Sequence, residues 1–169
     1  AVGLTTVALV LSLFANARCN LVKPEEGASS VLGFLLDLFL PESLGLWCVT
    51  YLGESVDISG DAGDNLNDFF LAARAMGTLT LCLGAILWIA TLLSVATNNR
   101  RLPVWLVIVI GGLDLLNSFF QGLVFLLFQS DVCKGLSCKL DTGGICAIFA
   151  VLCWLVSGIV CILWAQRAK

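Results

Sequence analysis

Three runs of this chain, roughly residues 69–95, 102–128 and 144–165, stay apolar for longer than a soluble helix requires. The hydrocarbon core of a bilayer is about 30 Å thick and takes roughly 20 apolar residues per helix. Each run is long enough to cross it, and in lipid such a run satisfies its backbone polar groups by forming a helix. A fourth run, about 2–15, is shorter, and its roughly fourteen residues reach only about 21 Å. It still reads as a helix. Ala1 opens the chain and no cationic stretch precedes this run, so it lacks the layout of a secretory signal. The spacing predicts a single all-α membrane domain over 1–169. It has a four-helix bundle, ectoloop 1 at about 16–68 and ectoloop 2 at about 129–143.

Charge supports this reading. Only 12% of the 169 residues are charged and the net charge is −3, against about 25% charged in a soluble domain. A cytosolic globule, a disordered tail and a nucleic-acid binder are all excluded, the last because no basic face is available. The chain has no histidine, which removes the usual general base, zinc ligand and pH switch together. No serine–lysine dyad and no glycine-rich phosphate loop take its place. The expectation is a non-enzyme with no catalytic residues, no dedicated cofactor, and bound lipid as its natural company.

Orientation follows from the short basic connections. Arg100 and Arg101 link the second and third long runs, and Arg167 and Lys169 close the chain. Those ends are expected on the cytoplasmic or stromal-equivalent side, with both ectoloops extracellular or lumenal. Ectoloop 1 carries Arg18 and Lys23 against many acids, among them Glu25, Glu26, Asp57, Asp61 and Asp68. Its two apolar runs, 31–40 and 44–52, suffice for a small ectodomain, expected to be strands. For 31–40 a short interfacial helix is the alternative. Asp57, Ser59, Asp61 and Asp68 faintly echo a calcium loop, but Ala62 stands where the turn glycine belongs. A solvated acidic loop is the simpler reading, and no metal is expected.

Cysteines sort by topology. Cys19 and Cys48 fall in ectoloop 1, and Cys133 and Cys138 in ectoloop 2. All four lie on one face, where disulfides persist if the compartment is oxidising. Four cysteines allow three pairings; local closure favours Cys19–Cys48 with Cys133–Cys138, and free thiols are the alternative. Cys82, Cys146, Cys153 and Cys161 lie within spans and should act as small hydrophobes.

Two helix faces stand out. Cys146, Ala150, Cys153, Ser157 and Cys161 form a small-residue stripe that lets helix backbones approach. Packing inside the bundle explains it more simply than a dimer seam. The third run carries a polar stripe, Asp114, Asn117, Ser118 and Gln121, at i, i+3, i+4 and i+7. An intramembrane carboxylate demands a partner or a role. Arg74, in the second run, lies roughly 15 Å away along the membrane normal. Asp114 is then protonated, bonded to Asn117 or Thr80, or turned toward a partner subunit.

Gly45-Leu46-Trp47 followed by Cys48, in a long loop after the first span, resembles the signature of the claudin and PMP22 superfamily. Leu71-Ala72-Ala73-Arg74-Ala75-Met76 is similar to the claudin run in which an arginine marks the loop-to-helix junction. The resemblance implies a left-handed four-helix bundle topped by an extracellular β-sheet. Trp47 would pack between sheet and membrane, and Arg74 would tie the sheet to the second span. Claudins carry a second cysteine soon after the first, whereas none stands between Cys48 and Cys82. The pattern therefore matches the broader tetraspan class, with its adhesion proteins and auxiliary subunits.

The expected function is structural: a scaffold binding other membrane proteins, itself or others, through its ectoloops and helix faces. The alternative is an accessory subunit, for assembly or linkage, of a large membrane complex. A pigment-bearing photosynthetic complex is one instance, in which Asp114, Asn117 or Gln121 would ligate chlorophyll and carotenoid would be a further cofactor. A channel or transporter fits less well, because only one acid lies within the spans.

Overall fold

A computed structural model describes residues 2–17, 20–23, 43–46, 48–51, 54–57, 68–96, 103–129, 133 and 138–167. Helix α1 is Val2–Ala17, α2 Asp68–Ala96, α3 Val104–Leu123 and α4 Thr142–Arg167. Three segments are long and apolar enough to cross a membrane: Asp68–Ser94, Val104–Gln129 and Thr142–Arg167. The first helix is apolar but has only 16 residues, about 24 Å of rise. The third begins two residues later than the apolar pattern suggests. Pro103 has extended backbone (ψ 136°) and stands just before the first helical residue, consistent with its fixed ring and missing N–H. After Leu123 the same segment tightens into a 3-10 helix, Val124–Gln129.

The four helices pack side by side, with α4 against both α3 and α1, and α2 against both α1 and α3. The closest approach is between α3 and α4. A Cβ at Gly158 would stand 2.7 Å from the Gly111 carbonyl oxygen, and one at Gly111 would stand 2.9 Å from the Gly158 carbonyl oxygen. Glycine at both positions allows this crossing, the small-residue packing by which helices associate in lipid.

At one end of the bundle lies a five-stranded antiparallel sheet of order β4-β3-β2-β1-β5. Strands β1 (Val22–Lys23), β2 (Ser43–Leu44), β3 (Cys48–Tyr51) and β4 (Glu54–Asp57) come from the first loop. β5 (Lys139–Leu140) comes from the second, with Val22 opposite Leu140 and Lys23 opposite Lys139. This corrects the expectation that the sheet belongs to the first loop alone. The physical reason lies at the start of α4. The Gly143 amide donates to the Asn20 carbonyl at 2.9 Å and the Asp141 amide to the Leu21 carbonyl at 3.2 Å. A side chain on Gly143 or Gly144 would collide with the Asn20 and Leu21 backbone, so the glycine pair brings the second loop against the first.

Three apolar clusters hold the described residues together, the smallest of them Val107, Cys161 and Ala165. At the sheet end, Leu21, Val22 and Leu46 pack with Ala15, Phe70, Ala73, Val124, Leu127 and Ala147. Deeper in the bundle, Ala8, Leu87, Ile110, Ala150 and Trp154 form a second cluster.

The crossing makes a paired prediction. Gly158→Ala should destabilise the protein by about 1–3 kcal/mol, the cost of overpacking a closed contact. Gly112→Ala, whose Cβ would meet nothing within 4 Å, should leave stability unchanged or raise it slightly. Thermal unfolding in lipid nanodiscs checks both.

Candidate functional site

The polar stripe of α3 turns into the bundle. Asp114, Asn117 and Gln121 have no exposed surface and Ser118 has 4%. A helix in lipid buries its polar face against other helices because hydrocarbon offers no hydrogen-bond partner. The carboxyl of Asp114 finds a partner across the α3–α4 crossing, where the Ser157 hydroxyl donates to Asp114 Oδ2 at 2.8 Å. Asn117 and Thr80 are the expected hydrogen-bond partners, and the structure supplies Ser157 instead. Thr80 Oγ1 instead donates to the Met76 carbonyl within its own helix at 2.8 Å. Ser118 also reaches α4, donating to the Val151 carbonyl at 3.0 Å. The stripe thus faces the other helices of the bundle and not its outer surface.

Not every polar atom of the stripe is matched. Asp114 Oδ1, both amide atoms of Asn117 and both amide atoms of Gln121 are buried without a hydrogen-bond partner. Asn117 Nδ2 lies 3.2 Å from where a Cβ of Gly84 would stand, beside Trp154 Cζ2 at 2.9 Å and Leu9 Cδ1 at 3.4 Å. All four helices therefore converge at this depth. Trp154 is the largest fully buried side chain among the described residues, and its Nε1 donates to Ser12 Oγ of α1 at 3.2 Å. Nearer the other end, the Trp88 indole donates to Thr6 Oγ1 at 2.9 Å. The sequence reading placed Trp154 within a span without assigning it a role. Its spacing from Ala150 and Ser157 carried that signal.

The small-residue stripe of α4 is only partly the packing face. Ala150, Ser157 and Cys161 are buried, whereas Cys146 and Cys153 are half-buried at its edge. The face is centred on Gly143, Ala147, Ala150, Trp154, Ser157, Gly158, Cys161 and Ala165, because the glycine crossing sets the rotation of the helix. Cys82, Cys146, Cys153 and Cys161 are free thiols.

At the sheet end, Arg74 is 92% buried. Its Nε donates to the Leu46 carbonyl, and its guanidinium carbon lies 4.9 Å from the Phe70 ring centroid. The α2 helix has 29 residues, about 43 Å of rise, so it overreaches a core of about 30 Å. Its first two turns are thus free to serve the sheet. Cys133 and Cys138 are joined with Cα atoms 4.9 Å apart, and the Cys138 amide donates to the Cys133 carbonyl at 3.2 Å. Cys19, Trp47, Asp61, Arg100, Arg101, Lys169 and residues 31–40 lie outside the described residues, as do the side chains of Cys48 and Asp57. Asp68 is exposed at the start of α2. Among the described residues no three cysteine, aspartate or glutamate side chains gather as a metal site.

Comparison with known protein families gives no matching family model, and comparison with curated proteins gives no match.

Two substitutions follow from this geometry. Ser157→Ala leaves the Asp114 carboxyl without its donor and should cost about 1–3 kcal/mol in thermal unfolding. Arg74→Ala removes a buried, charge-assisted bond worth about 1.5–3 kcal/mol. It should speed amide hydrogen exchange in β1 and β2 while leaving exchange in α4 near Trp154 unchanged.

Proposed function

We propose that this protein is a non-enzymatic tetraspan scaffold, a divergent relative of the claudin and PMP22 superfamily. It binds other membrane proteins through its sheet and the outward faces of its helices. The reading rests on the distribution of polarity. The polar groups of the spans are turned inward, and the outward faces are bulky and apolar. Ile86, Phe119, Trp105 and Trp164 are 64%, 61%, 65% and 59% exposed. Such a body offers its surroundings a smooth apolar belt, suited to lipid and to other helices, with a sheet at one end. The basic Arg100–Arg101 connection then faces the cytoplasm or its equivalent, and the sheet faces the extracellular or lumenal side.

The Arg74 bond to Leu46 supports the superfamily likeness, since it ties sheet to helix as that resemblance implies. It makes the sheet a rigid extension of the bundle, a useful property for a surface that meets a partner. The second reading, an accessory subunit of a larger membrane complex, draws on Trp105 and Phe119. Both project from the outer face of α3, and large aromatic side chains are typical anchors of protein interfaces.

Gentle extraction from native membranes, native-gel separation and mass spectrometry of each band test the proposal. A ladder of self-oligomers, or bands of variable partner content, is the expected result. Comigration with larger subunits at constant stoichiometry would establish the accessory reading instead. Migration as a lone monomer overturns both.

A further inference from the structure

Charge is sorted along the bundle axis. Of the twelve acids in the sequence, nine fall in residues 16–68 and two, Asp131 and Asp141, in the second loop. The remaining one is Asp114. No acid stands in residues 69–113 or 142–169, the stretches that hold Arg100, Arg101, Arg167 and Lys169. α4 starts beside the sheet, so its last turn lies at the far end of the bundle, next to the start of α3. Val104 and Val107 of α3 pack there with Cys161 and Ala165 of α4. Arg167 is exposed in that last turn. Arg100 and Arg101 belong to the connection that enters α3 at Pro103. Like charge without an opposing acid along these stretches draws anions toward this end.

Two indoles mark its depth. Trp105 and Trp164 are both largely exposed. Gly111 meets Gly158 and Val104 packs beside Ala165, so the two helices run antiparallel with residue 105 level with residue 164, to within about one residue's rise of 1.5 Å. Exposed tryptophans of a span collect at headgroup level, where the ring is apolar on one side and its N–H is wet on the other. Arg167 stands three residues past Trp164, about 4.5 Å further out. That step takes it from the acyl boundary to the lipid phosphates. A guanidinium binds phosphate through paired N–H groups. A soluble acidic partner would match the arginines but leave both indoles without a use. A lipid with a net negative headgroup matches the charge and the indoles together.

We propose that the end of the bundle opposite the sheet is a seat for anionic phospholipid. Arg167 takes the headgroup, Arg100 and Arg101 add positive charge, and Trp105 and Trp164 lie against the upper acyl chains. The inference rests on the membrane spans and not on the scaffold reading.

Tryptophan quenching by brominated lipid tests it, with the full chain in nanodiscs of mixed phosphatidylcholine and phosphatidylglycerol. Bromine is carried on the acyl chains of one lipid or the other. At low salt, brominated phosphatidylglycerol should quench at several-fold lower mole fraction than brominated phosphatidylcholine. The preference should shrink as sodium chloride is raised, because screening weakens the attraction of exposed charges. Arg167→Gln should lower it by up to about fivefold, the worth of one basic residue near an anionic surface. Trp105→Phe combined with Trp164→Phe should remove the selective quenching, because the reporters at that depth are gone. Equal quenching by the two lipids overturns the proposal, as does a preference that outlasts high salt or survives the paired tryptophan change. A preference abolished by sodium phosphate but kept in sodium chloride of equal ionic strength also overturns it, since a free anion then occupies the arginines. Should the paired tryptophan variant fail to fold, Arg167→Gln and the salt series carry the test, and an unchanged preference in either overturns the seat.

Discussion

Everything in the bundle interior depends on how closely α3 and α4 cross. At Gly111 and Gly158 each backbone lies where a side chain on the other would have to go. That contact fixes both the separation of the helices and their rotation. Ser157, next to Gly158, is thereby brought to the carboxyl of Asp114, one turn from Gly111. The same rotation turns Trp154 inward, where it reaches Ser12 of α1 and lies against the Gly84 position of α2. A bulkier residue at the crossing would separate the helices and so remove the hydrogen bond on which the carboxyl relies.

The sheet is a second consequence of close backbone approach. Gly143 and Gly144 let the start of α4 sit against the Asn20 and Leu21 backbone. This places β5 beside β1, so the two loops form one sheet. Arg74 closes the arrangement from the other side through Leu46. α2 is longer than a bilayer core requires, and its first turns pack into the sheet-end cluster through Phe70 and Ala73. The described strands are thus tied to helices on two sides, which sets the place of the sheet relative to the bundle.

The polar groups divide in the same way. Those near the helix ends close local bonds, as Thr78 does to the Arg74 carbonyl at 3.0 Å. Those at mid-depth, Asp114, Asn117 and Gln121, face the centre with bonding capacity left over. Polar groups retained in a membrane interior at such a cost are usually retained for a role.

The sequence by itself determined the number and approximate bounds of the helices and the polar stripe of α3. Apolar run length and helical spacing are local properties, so they are readable along one dimension. Partnership is not. Whether Asp114 met Thr80, Asn117 or Ser157 depended on the rotation of α4. Whether Cys146 and Cys153 lay at the seam or beside it depended on the same angle. The recruitment of β5 into the sheet depended on two glycines meeting a backbone more than a hundred residues earlier in the chain. Only the tertiary structure decided these points, because they follow from the close approach of distant backbones, and sequence spacing within one helix does not encode how that helix turns against its neighbour.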